Sequence, residues 1–201
     1  MKYLKILSLS AIAAAAVMAF VGAGTASATT VCTLGTTTAP CGSGETPYSG
    51  KIVAHLVPGT TAVLSGTLKV ECTSSTVEGE TNSAGEGSIT NATWSNCTNC
   101  PEIKALNLPW KAHATTGTAP NGTMTVENPS VLLGKCLGGV ANCVASASSV
   151  VLDVDGGEPA LVLAKSEPLN MSTESGFGCG TSGTWTASYE ALTPSTGLFL
   201  R

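Results

Sequence analysis

The strongest regularity along the chain is an alternation of apolar and polar positions with a period of two. Leu64, Gly66, Leu68, Val70 and Cys72 fall on one side, and Ser65, Thr67, Lys69 and Glu71 on the other. Strict alternation of this kind marks a half-buried antiparallel strand. It also places Cys72 toward the core, where a disulfide to another strand is geometrically natural. The same pattern recurs at Ile52, Ala54 and Leu56, through Ile89 to Trp94, at Trp110, Ala112 and Ala114, at Met124 and Val126, and at Trp185, Ala187, Tyr189 and Ala191. Apolar runs flank Gly138-Gly139, a further run spans Val150 to Val154, and Ala160 to Ala164 is apolar on both faces. Between them lie turn signals: Pro58-Gly59, the Thr81–Gly87 segment, Ala119-Pro120-Asn121-Gly122, Asn128-Pro129 and Asp155-Gly156-Gly157. Pro109 cannot donate to a ladder and so requires an edge, a bulge or a strand start. No helical period competes with this pattern. The expectation is an all-β chain of about ten to twelve short strands, forming a disulfide-stapled antiparallel β-sandwich with Greek-key or jelly-roll connections rather than a simple meander.

The first residues depart from the pattern. Lys2 and Lys5 precede an apolar run from Ile6 to Val21, and small residues lead into Ala26-Ser27-Ala28. That is the n-region, h-region and A-x-A site of a secretory signal peptide over residues 1–28. The run is short for a membrane span, which needs about 20 apolar residues. No later segment is long and apolar enough to span, and no cysteine follows the small residues to accept a lipid. Residues 29–50, rich in Thr, Gly and Pro, read as an arm or loop pinned by Cys32 and Cys41, and residues 51–201 as a single β domain.

Composition then narrows the function classes. Without Lys2 and Lys5, seven basic residues face thirteen acidic ones, a formal charge of −6. The basic side chains are sparse and unclustered, which argues against nucleic acid as a partner. Charged residues make up 11% of the chain, against about 25% in ordinary globular proteins, and Ser, Thr and Gly take their place. This suits an exported β protein whose outer strand faces carry hydroxyls. Edge strands without charge protection leave self-association open.

Eight cysteines lie beyond the leader: Cys32, Cys41, Cys72, Cys97, Cys100, Cys136, Cys143 and Cys179. An even number in an exported chain points to four disulfides. Pairing neighbours in sequence would join Cys32 to Cys41, Cys97 to Cys100 and Cys136 to Cys143, leaving Cys72 for Cys179, one of 105 connectivities open to eight cysteines. The C-x-x-C spacing of Cys97 and Cys100 also occurs in redox and zinc sites. A redox motif wants a βαβ setting and a zinc ribbon a second C-x-x-C, and neither is present, so structural disulfides are expected.

Catalytic constellations are missing from the sequence. His55 and His113 fall on separate strands with no carboxylate evidently placed to orient them, and no G-x-S-x-G, HExxH, P-loop or dinucleotide motif occurs. Glu71, Glu78, Glu80 and Glu102 could in principle supply a glycosidase pair, but aromatic residues for a sugar platform are few, and Trp94, Trp110 and Trp185 are wanted in the core. Asp153, Asp155 and Glu158 in the DVDGGE turn offer oxygen ligands, a partial resemblance to a calcium loop; an ordinary acidic turn is the competing reading. Asn91, Asn96, Asn121 and Asn170 open N-x-[ST] sequons. Pro194-Ser195-Thr196-Gly197 approaches a sortase signal, but Thr193 replaces the required Leu and no apolar tail with basic stop follows.

The segment ITNATWSNCTNCPEIKALNLPWKA, Ile89 to Ala112, resembles a pattern of small exported bacterial β proteins: a short strand ending near an aromatic, one or two cysteines, then A-x-x-L-P-W. Most of the chain beyond the leader is similar to uncharacterised secreted proteins of high-GC Gram-positive bacteria. More loosely, this segment and the Gly122–Val126 strand resemble the family of activators of alkane oxidation. That resemblance implies an exported accessory protein that helps cells handle hydrophobic substrates without being the oxidising enzyme, and it carries no active-site residues.

The functional expectation is a non-enzymatic exported protein acting at or outside the cell surface in binding, adhesion or envelope organisation, toward an extracellular or cell-surface ligand. An accessory factor for hydrophobic or carbohydrate ligands and a secreted hydrolase are the alternatives. No cofactor is expected, with calcium at Asp153, Asp155 and Glu158 the one candidate.

Overall fold

The computed structural model describes residues 28–201, so the leader expected over residues 1–28 lies, but for its last residue, outside the described part. Fifteen strands are described: β1 (Val31–Leu34), β2 (Glu45–Pro47), β3 (Gly50–Leu56), β4 (Ala62–Gly66), β5 (Val70–Thr81), β6 (Glu86–Cys97), β7 (Glu102–Leu106), β8 (Trp110–Thr116), β9 (Gly122–Glu127), β10 (Ser130–Lys135), β11 (Ala141–Ser146), β12 (Ser149–Asp155), β13 (Leu161–Ser175), β14 (Ser182–Thr193) and β15 (Phe199–Leu200). The sole helical element among them is a single turn, Cys136–Gly139.

The expectation of an all-β, disulfide-stapled chain holds, whereas the large sheet is a closed barrel. Its hydrogen-bonded ring runs β3, β5, β6, β8, β9, β12, β13, β14 and back to β3, antiparallel throughout. With the excursions set aside, successive staves are neighbours. The connection is thus the up-and-down meander that the sequence reading ranked below a Greek key or jelly roll. Closure follows from the pairing of β14 with β3, which removes the two outer edges a sandwich sheet would leave.

β3 and β4 form one interrupted stave. Both pair antiparallel with β14 on one side and β5 on the other, and the chain bulges out between them at Val57–Thr61. The Pro58-Gly59 turn is closed by Thr60 N–H donating to the Val57 carbonyl at 3.0 Å.

The wall opposite is also in two pieces. Around the base of the barrel it consists of β8, β9 and β12. Toward the other end, the rim, it consists of β7, β10 and β11, with β11 pairing the C-terminal half of β13. One gap remains in the rim half: β7 lies beside the outer part of β6 but shares no ladder with it among the described residues. We refer to this unpaired strip as the seam.

The base is capped. β1 pairs with β2 and β15 in a small three-stranded sheet, so the arm expected as a loop contributes two strands. The cap is tied to the barrel hairpins: Val31 N–H donates to Ser83 O at 2.8 Å and Leu200 N–H to Pro120 O at 2.9 Å. Leu198 exchanges hydrogen bonds with Gly157. Glu45, 5% exposed, receives Arg201 Nε at 2.9 Å on Oε2 and Arg201 Nη2 on Oε1. The guanidinium, the largest influence, holds the Glu45 carboxyl below the usual carboxylate range against an opposing effect of burial, with the Gly42 N–H helping.

All eight cysteines are paired, Cys32–Cys41, Cys72–Cys97, Cys100–Cys136 and Cys143–Cys179. The first agrees with pairing by sequence proximity and the other three correct it. Cys72 and Cys97 are direct cross-strand partners on β5 and β6. Cys100 leaves the turn after β6 toward the end of β10, and Cys143 on β11 faces the loop after β13. Three disulfides therefore staple the rim and one the cap.

Candidate functional site: the barrel interior

Alternation sends one side chain in two of every stave into the barrel. Here a substantial share of those inward positions is small: Ala54, Ala62, Ala92, Ala112, Ala145, Ala164, Ala187 and Ala191 are all buried. Glycine adds to the space, since a Cβ on Gly79 or Gly87 would collide with the Ser88 or Glu80 carbonyl across the β5–β6 pair. Interiors of eight-stranded barrels are just filled by ordinary side chains or hold one small ligand. Small side chains leave room here.

Two cavities result, stacked along the barrel axis. The base chamber, about 170 Å³, is walled by residues such as Ile52, Val77, Ile89, Met124, Val126 and Leu152, and closed below by Val31, Leu198 and Leu200 of the cap and its approach. The rim chamber, about 90 Å³, is walled by Leu64, Val70, Ile103, Val131, Leu133 and Leu169. Trp94, Trp110, Trp185, Pro129 and Val150 line both. All three tryptophans of the chain thus meet at the waist between the chambers. Trp110 is buried, whereas Trp94 and Trp185 are half-buried. The sequence reading assigned all three to the core; the structure places them inside the barrel but beside unfilled space.

The waist carries one polar pair. Ser75 and Tyr189 are 4% and 3% exposed, and their hydroxyl oxygens stand 2.9 Å apart. Tyr189 lies 6.3 Å from Trp185 between ring centroids, with planes tilted by 53°. Burial raises the Tyr189 phenol above its ordinary value, against smaller opposing effects from Ser75 and Trp94, so it is a neutral hydrogen-bonding group at physiological pH. An apolar pocket with a few fixed polar groups is the usual form of a small-molecule site. Neither Ser75 nor Tyr189 was singled out from sequence. Alternation marks Tyr189 as a strand residue, Ser75 lies beyond the alternation that ends at Cys72, and nothing local distinguishes an inward hydroxyl that meets a partner 114 positions away.

The other candidates lie outside the barrel, except that His113 and Glu80 border the base chamber. His55 stands in a cross-strand row with Glu190 and Thr76, and His113 with Glu86 and Thr125. His55 is exposed and His113 half-buried, and both rows are flat cross-strand neighbours in a sheet rather than groups converging on a cleft. Glu71, Glu78 and Glu102 pair with Lys69 at 2.7 Å, Lys51 at 2.8 Å and Lys135, respectively. Asp153 is paired with Lys165 at 2.8 Å, while Asp155 and Glu158 are exposed. No group of three His, Cys, Asp or Glu side chains able to hold a metal is found among the described residues, so Asp153, Asp155 and Glu158 are not gathered into a calcium loop. All four sequon asparagines are exposed. A shallow hydroxyl-lined cleft beside Ser65, Ser149, Asn170 and Ser182 carries no aromatic residue on which a sugar could stack.

No described helix is long and apolar enough to cross a membrane. In comparisons with known proteins, no family model, no curated protein and no solved structure matches this chain.

Proposed function

We propose that this chain is an exported, non-enzymatic binding protein whose ligand is a small apolar molecule held inside the barrel at the tryptophan waist. The observation that supports it is the pair of apolar chambers sharing Trp94, Trp110 and Trp185. The base chamber, about 170 Å³, is of the size of an apolar cavity of about 150 Å³ that stays dry and takes up benzene. A ligand the size of one aromatic ring or a short aliphatic chain matches it. Four disulfides support an oxidising compartment, and the secretory leader read from the sequence agrees with that. The role is the hydrophobic-ligand accessory function named among the sequence expectations; the carbohydrate variant lacks a stacking platform.

Titration of the purified chain with benzene, ethylbenzene and octane, followed by tryptophan fluorescence and by the thermal midpoint, tests the reading. Saturable quenching with a rise in midpoint is expected, since a ligand that binds only the folded state stabilises it. Unchanged fluorescence and midpoint across the series would sink it.

A further inference from the structure

The Ser75–Tyr189 pair narrows the class of ligand, an inference that rests on the binding role just proposed. Tyr189 lines the base chamber, whereas Ser75 does not. The pair sits where the stave of β3 and β4 breaks: Tyr189 faces Leu56, the last residue of β3. Two hydroxyls bring two protons, and the bond between them uses one. Either oxygen can be the donor; with Ser75 behind and Tyr189 at the chamber wall, the arrangement in which Ser75 donates leaves the phenol proton free to turn toward the cavity. Trp94, the cross-strand neighbour of Ser75, carries an indole N–H that is a donor and never an acceptor. Among the described residues no second acceptor meets the pair, although both side chains are more than nine-tenths buried. A buried donor without an acceptor is costly. The chambers are bordered by Glu80 and His113 but by no lysine or arginine, so a carboxylate would be buried without a fixed cation.

We infer that the chamber selects a neutral apolar molecule bearing one hydrogen-bond-acceptor oxygen, such as a ketone, ester or alcohol, which receives the Tyr189 hydroxyl. The apolar body fills the space between the tryptophans, and Ser75 is a positioning residue that fixes the direction of the phenol.

Ethylbenzene and acetophenone differ little in shape, and only the second carries an acceptor. Calorimetric titration of wild type, Tyr189→Phe and Ser75→Ala with both probes makes the test. Tyr189→Phe is expected to weaken acetophenone about three- to tenfold, the range of one neutral hydrogen bond, and to leave ethylbenzene within about twofold. Ser75→Ala is expected to act in the same direction by less. The carbonyl stretch of acetophenone bound to wild type should fall in frequency relative to the free ketone in hydrocarbon, a readout that stands even if a variant does not fold. An unshifted stretch, or equal effects of Tyr189→Phe on both probes, overturns the inference and leaves apolar binding intact. Failure of both probes to bind wild type instead overturns the binding role itself.

Discussion

The indole N–H of Trp110 donates to the carbonyl of Leu106 across 2.7 Å, joining the last residue of β7 to the first of β8 over the turn at 107–109. At its other end β7 follows Cys100, which is bonded to Cys136. The strand is thus pinned at both ends, with β10 along one side and no ladder to β6 along the other.

Ile103 of β7 and Trp94 of β6 both line the rim chamber, so the seam between these strands lies directly beside it. The cap closes the base and three disulfides hold the rim. The seam is therefore the expected route for a ligand. Ala105→Leu, which adds bulk on the inward side of β7, should slow association and dissociation of ethylbenzene by a similar factor, about threefold or more, leaving Kd nearly unchanged. Stopped-flow fluorescence reads both rates; a change in Kd without the paired slowing would assign Ala105 to the site rather than its route.

Filling the base chamber should separate binding from folding. Ala112, buried and facing the cavity, has room beyond its methyl group. Ala112→Leu is expected to weaken ethylbenzene binding at least tenfold while the thermal midpoint stays the same or rises, because an added side chain that occupies existing space is not overpacked. A large fall in midpoint would show that the space is not there.

The cap should respond to acid. Glu45 titrates below its ordinary value because Arg201 stabilises its charged form. The folded state therefore binds this proton less readily than the unfolded one, and the stabilisation is complete above about pH 4.3, the unfolded value. It is lost as pH falls through the lower folded value. Glu45→Gln should cost about 1–2 kcal/mol at neutral pH, between an exposed and a buried pair, since Glu45 is covered but the Arg201 side chain is 26% exposed. Thermal midpoints of wild type and variant between pH 7 and pH 2 should converge at the acid end; a gap independent of pH would assign the loss to packing.

Disulfide removal should rank by loop length. Cys32–Cys41 spans 9 residues, and Cys100–Cys136 and Cys143–Cys179 each span 36. The chain-entropy relation gives about 2.5 kcal/mol for the first and about 4 kcal/mol for each of the others. Urea midpoints of the three paired Cys→Ala variants measure the order, and a cap variant as damaging as a rim variant would contradict it.

Most of the barrel strands were legible in the sequence, though not the cap strands β1, β2 and β15 or the outer halves of β5 and β13. Their arrangement was not legible, for definite reasons. The alternation from Leu64 to Cys72 reads as one strand, yet it is two, joined by a turn at Thr67–Lys69. Leu64 pairs with Val70 and Ala62 with Cys72, so residues equidistant from Thr67 face the same way. A hairpin with an odd centre preserves parity, and a period of two passes through it unbroken. Cys97 and Cys100 are neighbours in sequence but separate across a turn where Asn99 has φ of 61°, one joining β5 and the other the end of β10. Closure depends on whether the outermost staves bond to each other, and alternation is identical in an open sheet and a closed one. The tryptophans were recognisable as interior residues, but unfilled volume is a property of all staves together and of no segment alone.

The facing free edges at the seam bear on self-association, which the sequence left open. A strand edge recruits another chain only when that chain can approach in the plane of the sheet. The open side of β7 and the open side of β6 look toward each other, each obstructing that approach to its neighbour, and the two-point tether of β7 keeps it from swinging clear. The strip expected to serve as a ligand's route is thereby closed to a polymerising strand.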